Sequence, residues 1–160
     1  MSGRVAGAQQ ASAVVQVLEG SKVVVDTPTA TGYPHLVKTY SQVSSAGCVL
    51  KYTETADESG KMVDGKPESR HSTYAFTVDL AQAAVKDVKV VGQRSDHLYY
   101  SVPMAFTAEQ TIEQNVAVNR VVTTTATLKH LTASFEVEGK DYAAKLHDAL
   151  GAAMAACSAK

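Results

Sequence analysis

The residues with the widest chemical reach in this sequence are Cys48 and Cys157, five histidines, and the run Ser95-Asp96-His97. That run sets a hydroxyl, a carboxylate and an imidazole side by side, the parts of a nucleophilic triad. A hydrolase serine is presented on a strained strand-to-helix turn of the form Gly-x-Ser-x-Gly, and Ser95 has no such glycines around it. A triad is therefore not expected. His35, His71, His97, His130 and His147 form no His-x-His or His-x-x-x-His pair, and each reads best as a scattered surface residue. Neither cysteine has another Cys or a His at the close spacing of a tetrahedral zinc site, so no metal is expected.

Phosphate chemistry is equally poorly supplied. No helix start follows Gly60 or Gly65, so both read as turn glycines rather than as a phosphate cradle. In the polar stretch 56–71, Lys61, Lys66 and Arg70 are cancelled by Asp57, Glu58, Asp64 and Glu68. Phosphoinositide recognition needs a local positive field, which that stretch lacks. The expectation is a protein that is not an enzyme and carries no cofactor. A pocket gathering His71 or His97 with a carboxylate of perturbed pKa would reopen the question.

The remaining candidate feature is apolar. Leu98, Tyr100, Val102, Met104 and Phe106 form the longest alternation in the chain. Facing Leu146, Leu150 and Met154 of the C-terminal segment, this row would line a cavity for a small apolar ligand, with Ala149, Ala153 and Ala156 leaving room beneath the segment. The commoner meaning of such rows is the core face of a strand and a helix, and both readings stand.

The elements that would position these residues follow from composition and period. A chain of 160 residues fits one domain with a sizeable core. The apolar fraction is 45%, with no Trp and three Phe, so the core should be built from small and β-branched side chains plus some of the seven Tyr. Fifteen Lys and Arg against 16 Asp and Glu give a net charge of -1. That balance offers neither the basic surplus of a nucleic-acid binder nor a polybasic membrane patch. No apolar run approaches the roughly 20 residues of a membrane span. The opening residues have no continuous apolar signal region, which leaves either a cytoplasmic protein or an exported one whose leader has been removed.

Residues 13–18 and 22–26 flank Glu19-Gly20-Ser21, which reads as a hairpin or, over 9–18, as a short helix. Pro28, Gly32 and Pro34 then break the pattern, so residues 1–30 are expected as a peripheral arm and 31–160 as the domain. Strands are expected over 37–43 and 48–55, with a loop at 44–47. A long polar loop follows over 56–69, then a strand at 72–78, a bend at 80–84 and a strand at 88–91. Pro103 interrupts the row at 98–106, predicting an edge strand, a bulge or two shorter strands. Residues 116–128 carry a candidate turn at Asn119-Arg120, and 132–138 supply another strand. Tyr142, Leu146, Ala149, Leu150, Ala153, Met154 and Cys157 recur at spacings of three and four, opposite Lys140, Asp141, Lys145 and Asp148, as in an amphipathic helix. Strands followed by one helix place the chain in the α+β class.

Three stretches are similar to small bacterial proteins of pleckstrin-homology-like fold. Gly47-Cys48-Val49-Leu50 opens an early strand, Phe76-Thr77-Val78-Asp79-Leu80 runs into a bend and then Val88-Lys89-Val90, and an Ala-rich helix over 142–157 ends in Cys157. The resemblance covers residues 36–157. It implies an antiparallel, partly open barrel of about seven strands capped by the C-terminal helix, often in secreted or cell-envelope proteins, with no enzyme activity. The N-terminal segment and the material near 112–118 do not fit this pattern. Taken alone, Cys48 and Cys157 are either a bridge tying helix to barrel or two small buried thiols. The resemblance, for an exported protein, puts the bridge on an equal footing with the free thiols, and a bridge would stabilise by about 4–5 kcal/mol in the chain-entropy model. The fold serves many roles. The expected function is a binding or interaction module whose protein partner docks on an exposed strand edge or the barrel mouth. The alternative is a carrier of a small apolar ligand between the sheet and the C-terminal helix.

Overall fold

The computed structural model describes residues 2–19, 21–25, 32–94 and 97–158. The chain runs α1 (Ser2–Leu18), β1 (Lys22–Val25), β2 (His35–Ala46), β3 (Val49–Val63) and β4 (Lys66–Asp79). A single 3-10 turn (Leu80–Gln82) leads to β5 (Ala83–Val85), β6 (Lys89–Arg94), β7 (His97–Val118), β8 (Val121–Glu138) and α2 (Lys140–Ser158). The eight strands form one antiparallel sheet in the order β1-β2-β3-β4-β7, with β5, β6 and β8 also on β7. β8 pairs along almost the whole of β7, so it occupies one of that strand's two edges. β4, β5 and β6 share the other, opposite residues 111–118, 104–106 and 97–101 in turn.

The sheet curls but does not close into a barrel. No ladder joins β1 to β8 among the described residues; side chains span the gap instead. The Glu136 N–H donates to Tyr40 Oη at 2.8 Å, and Tyr99 Oη donates to the Val24 carbonyl. With only four residues, β1 is too short to zip along its neighbour.

The strand count is eight rather than about seven because the short β1 and β5 are added, while the segments expected at 116–128 and 132–138 run together in β8. The stretch at 56–69 is not a loop. β3 and β4 continue through it as a ribbon, and the connection is only Asp64-Gly65. Both residues take positive φ, 51° and 76°, as a tight hairpin turn requires. Past the core the ribbon is polar on both faces, which erases the period-two signal. Asn119 and Arg120 likewise turn with φ of 49° and 69°, joining β7 to β8.

Pro103 lies inside a central strand. Its carbonyl accepts from the Lys86 N–H at 2.8 Å. A strand residue presents its N–H and C=O on the same side, so the donor missing from proline falls in the connection between β5 and β6. The interruption expected in β7 is thus borne by its neighbours.

The first helix was one of two readings for the N-terminal segment, and it is the one adopted. The segment expected as a peripheral arm contributes Ala11, Val14 and Leu18, all fully buried, to the main core. Their three- and four-residue spacing makes a stripe that packs on α2, and this packing outweighs the strand preference of Val14, Val15 and Val17. α2 buries Ala143, Leu146, Leu150, Ala153 and Met154. Beneath the helices, Tyr40, Tyr52, Phe76 and Phe135 form a continuous aromatic layer, with Tyr52 and Phe76 stacked at 4.6 Å between centroids. Cys48, in the turn after β2, is disulfide-bonded to Cys157 in the last turn of α2, with Cα atoms 5.8 Å apart and a sequence separation of 109.

Candidate functional site

Register places two rows of side chains across the concave face of the sheet. One runs Tyr52, Phe76, Ile112, Leu128 over β3, β4, β7 and β8. The next runs Tyr40, Glu54, Tyr74, Gln114. Phe76, Ile112, Leu128 and Tyr74 form the floor of a cleft of about 350 Å³, and Lys38 and Glu54 stand on one wall. The opposite wall is β8, from His130 to Ser134. β8 reaches across because the β7–β8 register shifts between Ala105 and Gln110, where four residues of β7 face only Leu131. Such a bulge bends its strand and increases its twist. The cleft is the mouth of the curled sheet, at the end away from the helices.

Its polar group is a triad of charges from three strands. Lys38 Nζ lies 3.0 Å from Glu54 Oε1 and 3.2 Å from Glu136 Oε2. Burial disfavours the Lys38 ammonium, but the two carboxylates outweigh it and hold its pKa above the ordinary 10.5. Burial also raises the Glu54 carboxyl above its usual range, with Lys38 opposing the rise and Glu136 adding to it. One cation and two carboxylates give the partly desolvated cluster a formal charge of −1; Lys38 and Glu54 line the cleft, and Glu136 reaches it only through Lys38. Just beneath, burial drives the phenols of Tyr40 and Tyr52 well above the ordinary 10.0. Tyr52 Oη has no hydrogen-bond partner among the described residues. On the floor, Gln114 Nε2 donates to Tyr74 Oη at 3.4 Å.

The residues singled out from sequence fall elsewhere. Tyr100, Val102, Met104, Phe106, Leu146, Leu150 and Met154 are buried in the main core, with half-buried Leu98 packed against it. None of the eight lines the mouth cleft, and beneath α2 they pack against one another. His71 Nδ1 and Asp57 Oδ1 are in hydrogen-bond contact on the exposed face. His147 Nδ1 meets Asp148 Oδ1 at 3.3 Å, and His130 sits on the cleft wall. Ser95 and Asp96 lie outside the described residues, as does the His97 side chain. The charges of the β3–β4 ribbon are largely paired: Arg70 Nη1 is 3.7 Å from Glu58, and Lys61 Nζ is 3.9 Å from Glu68. Tyr33 Oη donates to Glu68 at 2.7 Å.

Lys38, Glu54 and Glu136 were not anticipated. A partial signal was present: the inward row of β3 runs Leu50, Tyr52, Glu54, so a charge follows two apolar residues on the same face. Only the register of β2 and β8 brings its partners in. No group of three or more His, Cys, Asp and Glu suited to a metal ion occurs among the described residues, and no described helix is long and apolar enough to cross a membrane. Comparison with protein-family models, with curated proteins and with solved structures finds no match for this chain.

Proposed function

We propose that this protein is a non-catalytic binding module, and that its ligand or partner inserts a cationic, apolar-bodied group into the mouth of the curled sheet. The observation that carries the reading is the cleft itself. Its volume of about 350 Å³ lies within the range of small-molecule sites. Its floor of Tyr74, Phe76, Ile112 and Leu128 suits a hydrocarbon or aromatic body. The surplus carboxylate of the Lys38–Glu54–Glu136 cluster favours a positive head, which aromatic faces also attract. The alternative of an apolar-ligand carrier beneath α2 has less support, since the core side chains there are packed together.

The pleckstrin-homology-like resemblance is kept within this proposal. A C-terminal helix against one end of an antiparallel sheet and a bridge at Cys48–Cys157 support it, whereas α1 and the eighth strand go beyond that pattern. Export to an oxidising compartment belongs to the same reading and is supported by the bridge.

Ligand-detected NMR with phenethylammonium and with hydrocinnamate, its carboxylate counterpart, tests the proposal. The amine is expected to bind and the acid not to. Leu128→Trp, which fills the cleft, and Glu54→Gln, which removes the surplus charge, are each expected to abolish binding of the amine. Equal response to both probes, or to neither, would overturn the reading.

A further inference from the structure

The outer edge of β8 is a second feature, on a strand whose Leu128, His130 and Thr132 also line the cleft. β8 pairs on one side with β7 and has no ladder on the other among the described residues. Toward its C-terminal end that edge is occupied, because the Glu136 N–H is taken by Tyr40 Oη. Over residues 121–132 no described residue pairs with it. Long open edges in natural sheets are usually guarded by proline, by several charges or by a covering segment. Here the stretch reads Val-Val-Thr-Thr-Thr-Ala-Thr-Leu-Lys-His-Leu-Thr, with no proline and one lysine. Val121 is 66% exposed, Val122 60% and Leu131 52%, which places three large apolar side chains in water on one edge.

The stretch is complementary to itself. Laid antiparallel to a second copy about a two-fold axis at Ala126, it sets Val121 opposite Leu131, Val122 opposite His130, Thr123 opposite Lys129, Thr124 opposite Leu128 and Thr125 opposite Thr127. The exposed apolar residues at the two ends then cover one another. Thr faces Thr at the centre, a favourable cross-strand pair. The two Lys129 side chains lie far apart, and no like charges face each other. A closed two-fold contact uses the same patch on both subunits, which is what this pattern provides. We infer that β8 is a dimerisation edge, and that its partner is a second copy of this chain joined by a continuous antiparallel sheet.

The protein should sediment at its own mass of 16.9 kDa when dilute and at twice that mass as concentration rises. Two variants at exposed positions test the register. In Thr125→Lys/Thr127→Lys, the introduced lysines oppose one another twice across the axis. In Thr125→Lys/Thr127→Glu, each introduced lysine meets an introduced glutamate. The first is expected to dimerise at least about tenfold more weakly than the second, as two like-charge against two opposite-charge pairs dictate. Circular dichroism of both variants checks that the sheet is intact. A wild-type protein that stays monomeric at every concentration overturns the inference. So does a dimer that survives the double lysine substitution, and so does loss of the dimer in both variants alike.

Discussion

Gly7→Ala offers a sharp test of how α1 sits on the molecule. Helix propensity alone says that alanine in a helix interior stabilises by about 1 kcal/mol over glycine. The packing says the opposite. A Cβ at position 7 would lie 2.7 Å from Cys48 Sγ, 2.9 Å from Cys157 Sγ and 3.3 Å from Cys157 Cα. Comfortable non-bonded contacts between heavy atoms lie at about 3.5–4.0 Å, so the overlap with each sulfur is roughly 1 Å. Neither sulfur can rotate away, because each is bonded to the other. α1 must lift, loosening Ala11, Val14 and Leu18 from the core behind it. Overpacking of this kind costs about 1–3 kcal/mol, which exceeds the propensity gain in most of that range. The expected net loss is about 1 kcal/mol, or roughly 2–4 °C in melting temperature for a chain of this size. The same substitution in a Cys48→Ala/Cys157→Ala background meets no sulfur, and there the propensity gain should prevail. Denaturant unfolding followed by circular dichroism in both backgrounds gives the two differences. A stabilising Gly7→Ala in the bridged protein, or equal effects in the two backgrounds, would refute the placement of α1 over the bridge.

Gly151 is the contrasting case: a Cβ there would meet only Val85 Cγ1, at 3.6 Å, an ordinary contact. Gly151→Ala should therefore raise stability by about 0.5–1 kcal/mol, and a loss on denaturant titration would show that α2 sits closer to β5 than described. Leu146 is fully buried where α2 meets the core, so Leu146→Ala should cost about 2–5 kcal/mol; an unchanged melting temperature would rule out that anchoring. Burial keeps Tyr40 and Tyr52 protonated in the folded state well above pH 10.0, where the unfolded chain releases those protons. Their contribution is therefore whole below about pH 10 and falls above it by about 1.4 kcal/mol per pH unit for each tyrosine. Phenolate absorbance and sheet ellipticity should change together for these two residues; ionisation of all seven tyrosines near pH 10 with the sheet intact would sink that expectation.

The parts of this architecture that were legible in the sequence are those whose period survives locally. Leu146, Leu150, Ala153 and Met154 mark α2, and the row from Leu98 to Phe106 marks the first half of β7. Asn119-Arg120 marks the turn into β8. The first helix was ambiguous because Val14, Val15 and Val17 favour strands in isolation, and their helical state depends on α2 lying alongside, which no local pattern encodes. The β3–β4 ribbon reads as a loop in the sequence because Asp57, Glu58, Lys61 and Glu68 put charges on both of its faces. The cleft was hidden for a different reason: Lys38, Glu54 and Glu136 come from three strands, and only the tertiary arrangement of β2, β3 and β8 brings them together. The Leu98 row stays open between cavity lining and core face in the sequence, because apolarity alone marks both; in the fold its side chains belong to the buried core or pack against it.

The concave face divides into two halves with different physics. Over the half nearest Leu50, Val78 and Leu80, α1 and α2 cover the sheet and the Cys48–Cys157 bridge fastens α2 to the β2–β3 turn. Past the aromatic layer, the inward rows turn to Lys38, Glu54 and Tyr74, and then to Glu58, Arg70 and Ser72. Stability does not call for this change. A partly buried ion cluster contributes little net free energy relative to well-packed apolar side chains of similar volume, and two carboxylates around one ammonium contribute less still. Nor does stability call for twelve residues of β8 edge without a ladder among the described residues, when a longer β1 could have zipped along it. Both departures lie away from the helices, at the end where the sheet is open. The clamped end holds the fold with buried area and a covalent tie, and this leaves the open end able to carry desolvated charge and unpaired backbone. Under the proposed binding role, this open end, which departs from the stability optimum in both ways, is where the molecule would meet its ligand and its second copy.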